Sequence, residues 1–126
     1  MLVDSTIYID LLRRGEDVQF LLRPALLGDQ LFVCGVVRAE VLRGIRSVVV
    51  RDELSELFDL MTEVPTDAQV WRKATDLAWT LDRRGVVLPL TDLVIAGCAL
   101  VVGAAVVTND PHFSQIPGLT VTKSLS

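Results

Sequence analysis

Pro89-Leu90-Thr91-Asp92-Leu93-Val94-Ile95-Ala96-Gly97-Cys98-Ala99-Leu100, running on through Gly103 into Ala104-Ala105-Val106-Val107-Thr108-Asn109-Asp110, is the stretch whose reading decides the fold. Pro89, Thr91 and Asp92 start a helix, the apolar run after them is core, and Gly103 separates that helix from an apolar strand over Ala104 to Val107. Asn109-Asp110-Pro111 is then a turn. Asp92 and Asp110 bracket this apolar segment with almost nothing polar between them. One acid at a helix start is ordinarily a cap, because it satisfies free backbone N–H groups and suits the positive end of the helix dipole. A functional meaning therefore depends on where the other acids fall. The run from Leu93 to Val107 is shorter than the ~20 residues of a membrane helix and is interrupted by Gly103, so no membrane span is expected.

Working outward, Leu2-Val3 is a short apolar strand. Asp4-Ser5-Thr6 supplies cap-type residues before Ile7, Ile9, Leu11 and Leu12 begin a helix that ends at Arg13-Arg14-Gly15. A second helix is predicted from Asp17 to Leu27, kinked or shortened by Pro24. Leu31-Phe32-Val33-Cys34 is an apolar run of strand length, as in a parallel sheet covered on both faces. The segment Val36 to Ile45 reads as a helix with Glu40 in line with Val36, Val37 and Gly44, so a carboxylate is carried toward the apolar side. Taken alone, Glu40 would be a snorkelling residue at the helix edge.

Val50, Leu54, Leu57, Phe58 and Met61 form the apolar stripe of the next helix, opposite a solvated face of Asp52, Glu56 and Asp59. Thr62-Glu63-Val64 is a weak third strand. Thr66 or Asp67 caps a long helix to Arg84, closed by Gly85, with a core stripe of Val70, Trp71, Ala74, Leu77, Ala78 and Leu81. That stripe leaves Trp79 on the other side with Arg72, Asp76 and Arg83, at least partly exposed and a candidate partner contact. Leu119-Thr120-Val121-Thr122 is the final strand. Strands alternating with helices at this spacing predict an α/β fold with a mainly parallel sheet and right-handed crossovers.

The chain has 126 residues, 51% of them hydrophobic, and is expected to form one domain over residues 1–126. Cys34 and Cys98 each sit in an apolar run and read as buried thiols of a reducing compartment. With no signal-peptide pattern after Met1, the expected location is cytoplasmic. Twelve basic against 16 acidic side chains give a net charge of −4, which argues against a broad basic face gripping long nucleic acid. That objection weakens if acids are held in a cation site, because setting four of them aside leaves the rest of the chain neutral.

Four acids qualify. Asp4 follows the first strand, Asp110 follows the Ala104 to Val107 strand, Glu40 lies in the helix after the second strand, and Asp92 opens a helix. In an open parallel sheet such positions meet at the carboxyl edge, where ligands bind. Clustered carboxylates repel and raise one another's pKa unless a cation sits among them, and oxygen ligands suit Mg²⁺ or Mn²⁺. Each acid also has a purely structural role open to it: caps for Asp4 and Asp92, turn former for Asp110, edge residue for Glu40. No nucleophilic serine or cysteine motif is present, the single His112 cannot build a triad, and no phosphate-cradling glycine loop appears.

Leu2-Val3-Asp4-Ser5-Thr6-Ile7-Tyr8-Ile9-Asp10-Leu11-Leu12-Arg13, Ala39-Glu40-Val41-Leu42-Arg43-Gly44, Arg84-Gly85 before Asp92-Leu93-Val94-Ile95-Ala96, and Gly103-Ala104 before Thr108-Asn109-Asp110-Pro111-His112-Phe113 together resemble the PIN-domain ribonucleases, specifically the VapC-type toxins of toxin–antitoxin pairs. The resemblance covers nearly the whole chain in order. It implies a three-layer α/β/α sandwich, metal-dependent endoribonuclease activity with Mg²⁺ or Mn²⁺, homodimerisation, and a cognate antitoxin that blocks the site. Carried over by position, Asp4, Glu40, Asp92 and Asp110 correspond to the family's acidic quartet and its metal ligands. Asp110 stands where the family varies and often has asparagine. Thr6, Thr108 and Asn109 are implied to orient carboxylates or substrate. Ser5-Thr6 departs from the family, which more often has the two hydroxyl residues reversed.

Three other readings compete. A phosphorelay receiver domain shares the size, the alternation and an acidic Mg²⁺ pocket, but it needs paired acids after the first strand and a phosphoacceptor aspartate after the third. Asp4 is single, and the Val64-Pro65 region has none at the strand end. Haloacid-dehalogenase-like phosphatases need a second aspartate where Thr6 stands. A PIN-like module that binds RNA or protein without cleaving is the remaining alternative, and the intact quartet speaks against it.

Overall fold

Short apolar β-prone segments, each followed at once by a helix start or a turn, set the architecture. In the computed structural model, which describes residues 1–125, β1 is Leu2–Val3, followed by α1 (Ser5–Arg13) and α2 (Val18–Leu27). β2 (Phe32–Cys34) leads to α3 (Gly35–Arg43) and α4 (Val48–Asp59). β3 (Thr62–Val64) leads to α5 (Ala68–Arg83) and α6 (Leu90–Val102), and β4 (Val106–Val107) leads through a 3-10 helix (Pro111–Gln115) to β5 (Val121–Thr122).

The strands form one five-stranded sheet, parallel throughout, in the order β3-β2-β1-β4-β5. The chain moves from β1 outward through β2 to β3, then crosses back to β4 and β5. With right-handed crossovers, that reversal puts helices on both faces of the sheet, giving the α/β/α sandwich, and makes the β1/β4 boundary the switch point where ligands bind in such sheets. Leu2 lies opposite both Phe32 and Val106, and Val3 lies opposite Val107. The residues that leave β1 and β4, Asp4 and Thr108, therefore emerge side by side. The Asp4 N–H donates to the Val107 carbonyl at 2.9 Å.

Leu2, Val3, Val33, Cys34, Val106 and Val107 are fully buried, as expected of strands covered on both faces. Helix α6 is buried on all sides from Leu93 to Ala99, the counterpart of its unbroken apolar run. Gly97 allows it to lie directly on α5, since a Cβ there would sit 3.3 Å from the Val70 carbonyl oxygen. Gly103 ends α6 in the left-handed conformation at φ 67, while Ala104 N–H reaches back to the Ala99 carbonyl at 2.9 Å. No helix among the described residues is long and apolar enough to cross a membrane.

Several boundaries differ from the sequence reading. Helix α2 ends at Leu27, as the sequence predicts, and is not shortened at Pro24. Pro24 and Phe20 lie on its exposed side, where water can replace the missing N–H donor. Strand β4 begins at Val106 because Ala104 is engaged in closing α6, and β5 begins at Val121 because Leu119 is still in a turn onto Ile116. Trp71 does not belong to the core stripe of α5: it is 45% exposed, lying about 90° around the helix from the line through Val70, Ala74, Leu77 and Leu81. Trp79 is exposed as expected, at 63%, with the Arg83 guanidinium 4.9 Å from its ring centroid.

Candidate active site

Asp4 is the first residue after β1 and the N-cap of α1, so its carboxylate has the positive end of that helix beneath it. It is 2% exposed. Its Oδ2 accepts the Thr6 hydroxyl at 2.7 Å and the Thr108 hydroxyl at 2.8 Å, with the Thr6 backbone N–H at 3.4 Å. Both hydroxyl hydrogens are thereby committed to one carboxylate oxygen. The 3.3 Å approach of the two threonine oxygens is a consequence of that shared acceptor. The hydroxyl oxygens accept in turn: Thr108 Oγ1 takes the Asp110 N–H at 2.9 Å and Thr6 Oγ1 takes the Asn109 N–H at 3.3 Å. The loop after β4 is thus pinned to the residue after β1.

Ser5 joins the second acid to the first. Its hydroxyl lies 3.0 Å from Glu40 Oε1 and 3.4 Å from Asp4 Oδ1. Glu40 is half-buried, and its carboxyl is pushed above the ordinary range by burial, with Asp4 and Asp92 pushing the same way against the Ser5 hydrogen bond and Arg43. Asp92 is raised likewise, by burial first, against the hydrogen bond from His112, with the negative charges of Asp110 and Asp4 adding to the rise. The four acids therefore share one electrostatic field.

Asp92 is not the cap of α6. Pro89 occupies that position without a side-chain hydrogen bond, Leu90 is the first helical residue, and Asp92 stands in the first turn. Its carboxylate turns to His112, whose Nδ1 is 3.1 Å from Asp92 Oδ2 and 3.3 Å from Asp110 Oδ1. Asp110 caps the 3-10 helix by accepting the His112 N–H at 2.9 Å. Ligand atoms of Asp92, Asp110 and His112 all lie within 4.8 Å of one another. Carboxylates with an imidazole, converging at this spacing on a partly solvated sheet edge, are a donor set that fits a divalent cation.

The structure brings Asp4, Glu40, Asp92 and Asp110 to one edge, with Thr6 and Thr108 on Asp4 and Asn109 exposed at the rim, contributing its backbone N–H. Two residues escaped the sequence reading. Ser5 looked like a cap residue, yet it bridges two acids. His112 cannot build a triad alone, and the signal for its place beside the acids is Asp110-Pro111, a capped turn start that swings residue 112 back over the edge.

Ribonuclease VapC18 of Mycobacterium tuberculosis is 28% identical over 100 residues, spanning 76% of this chain and 73% of that protein. Among solved structures, VapBC2 from Rickettsia felis, bound to a DNA fragment from its promoter, superposes with a TM-score of 0.79 at 20% identity over 95% of both chains. DNA-bound VapBC from Salmonella typhimurium gives 0.78 at 22% identity, covering 95% of this chain and 94% of that one. FitAcB from Neisseria gonorrhoeae gives 0.75 at 19% identity, covering 96% and 95%. These structures share the fold. Residues 1–119 match the model of the PIN domain, and the chain belongs to the PIN-domain family.

Proposed function

We propose that this protein is the toxin of a toxin–antitoxin pair, an endoribonuclease that hydrolyses RNA phosphodiester bonds with a divalent metal ion and is inhibited by its cognate antitoxin. The observation that carries the reading is the convergence of Asp4, Glu40, Asp92 and Asp110 at the switch point of a PIN-domain sheet. The four carboxylates would hold Mg²⁺ or Mn²⁺, which when bound makes a water a better nucleophile near neutral pH and offsets charge on the phosphate.

The chain's own residues do the rest. Thr6 and Thr108 hold Asp4 in one orientation, and Ser5 holds Glu40 against it. Such fixed donors spare the site from reorganising when substrate arrives. Asn109, exposed beside Thr6, would meet the RNA as it enters. The likeness to the VapBC and FitAcB structures supports an antitoxin partner for this chain. A second copy of the chain is the other proposed partner, with Trp79 at a contact, and the buried free thiols support a cytoplasmic location.

Co-expression with the neighbouring gene tests the pairing. The protein is expected to co-purify with a small partner, and removing that partner is expected to release ribonuclease activity. A partner-free protein that binds RNA without cutting it in Mg²⁺ or Mn²⁺ would favour the binding-only module instead.

A further inference from the structure

The ring of His112 is held in place from both sides. Pro111 opens the 3-10 helix, Asp110 caps it through the His112 N–H, and the next residue, Phe113, is fully buried. The ring then turns its Nδ1 inward, 3.1 Å from Asp92 Oδ2 and 3.3 Å from Asp110 Oδ1, while the side chain as a whole stays 42% exposed. A ring nitrogen carries at most one hydrogen and can serve only one of two carboxylates as a donor. Two carboxylate oxygens and a ring nitrogen within 4.8 Å of one another are also the arrangement of neighbouring donors around one cation. Donors sharing an octahedral ion with bonds of ~2.1 Å lie ~3.0 Å apart, close to the spacing seen here.

We propose that His112, through Nδ1, is a further metal ligand beside Asp92 and Asp110, and that it biases the site toward a first-row transition ion such as Mn²⁺ over Mg²⁺. Mg²⁺ takes oxygen donors and keeps its waters, whereas imidazole is a ligand of the transition-row ions. When a cation replaces the Nδ1 hydrogen bond to Asp92, the partly exposed Nε2 carries the ring proton toward water and the Nδ1 lone pair becomes the donor. Aspartates on two elements and a histidine on the second of them thus make one mixed nitrogen–oxygen site. The proposal rests on the metal-site reading above, and its test separates the two.

Pulsed electron paramagnetic resonance of the wild-type protein loaded with Mn²⁺ alone should show the ¹⁴N coupling of a directly bound imidazole nitrogen. His112→Ala, with its fold checked by melting in EDTA, should lose that coupling. It should also bind Mn²⁺ about tenfold or more weakly, while its Mg²⁺ affinity changes by less than about twofold. Mn²⁺ bound with no nitrogen coupling in the wild type, or equal weakening of the two ions in the variant, overturns the ligand assignment and leaves the carboxylate site standing. No Mn²⁺ binding at all overturns both. The wild-type spectrum decides the ligand even if the variant fails to fold.

Discussion

Asp4 Oδ2 takes hydroxyl hydrogens from Thr6 and Thr108 at a position 2% exposed, so each hydroxyl offsets part of the cost of burying a carboxylate. Thr108→Val keeps the shape and deletes one donor. It should lower stability by ~1–3 kcal/mol in urea denaturation, and by less in an Asp4→Asn background, where the charge is gone. Equal losses in the two backgrounds would mean that Thr108 acts through the Asp110 N–H and not through Asp4. Asp92 gives a prediction of opposite sign. Its carboxyl is raised in the folded protein, so between the ordinary carboxylate value of ~4 and that raised value the folded state holds more protons than the unfolded one. Stability without metal should therefore be greatest below that window and fall as pH rises through it. Asp92→Asn should flatten this fall in EDTA melts from pH 4 to 7, and parallel curves would refute it. The slope is the readout because the variant also loses a first-turn carboxylate worth ~0.3–1 kcal/mol to the helix dipole. At this scale the acids were legible from sequence because each occupies a strand exit or helix start. His112 was not, because the direction of a ring after a 3-10 turn is set by what packs behind Phe113.

The elements were legible wherever apolar periodicity and a stop signal agreed, as in α1 up to Arg13 and α6 up to Gly103. They were less legible where two neighbouring angles on a helix compete for one stripe. Trp71 flanks the stripe of α5, and a count of apolar residues cannot show that the core ends before it. The contact of α5 with α6 turns on Gly97, whose missing Cβ leaves 3.3 Å to the Val70 carbonyl oxygen and 3.6 Å to the Ala74 nitrogen. Gly97→Ala should gain up to ~1 kcal/mol in helix propensity and lose more, ~1–3 kcal/mol, by forcing two backbones apart. Its melting temperature is expected below wild type. A higher one would show that the helices can separate without cost. Asp92 rides on the same helix, so the displacement should also weaken binding of Mn²⁺ to the folded variant.

For the whole molecule, a net charge of −4 looked unlike a nucleic-acid enzyme until the acids were found gathered at one edge of the sheet. The order β3-β2-β1-β4-β5 explains the gathering, because it puts the exits of β1 and β4 side by side and lets α3 and α6 bring Glu40 and Asp92 to them. Away from that edge, Trp79 at 63% exposure is the more open of the two tryptophans. Trp79→Ala should weaken self-association or antitoxin binding by ~1 kcal/mol or more, measured by sedimentation and by titration with the antitoxin. Unchanged values for both would remove Trp79 from any interface. The central claim is that the four carboxylates form a metal-dependent ribonuclease site. The most direct test is cleavage of total cellular RNA by partner-free wild type, Asp4→Asn and Asp92→Asn, each in Mn²⁺ and in EDTA, with circular dichroism confirming that all three are folded. Cleavage is predicted only for the wild type and only with metal. Cleavage by either folded variant at the wild-type rate, or by the wild type in EDTA, would contradict it.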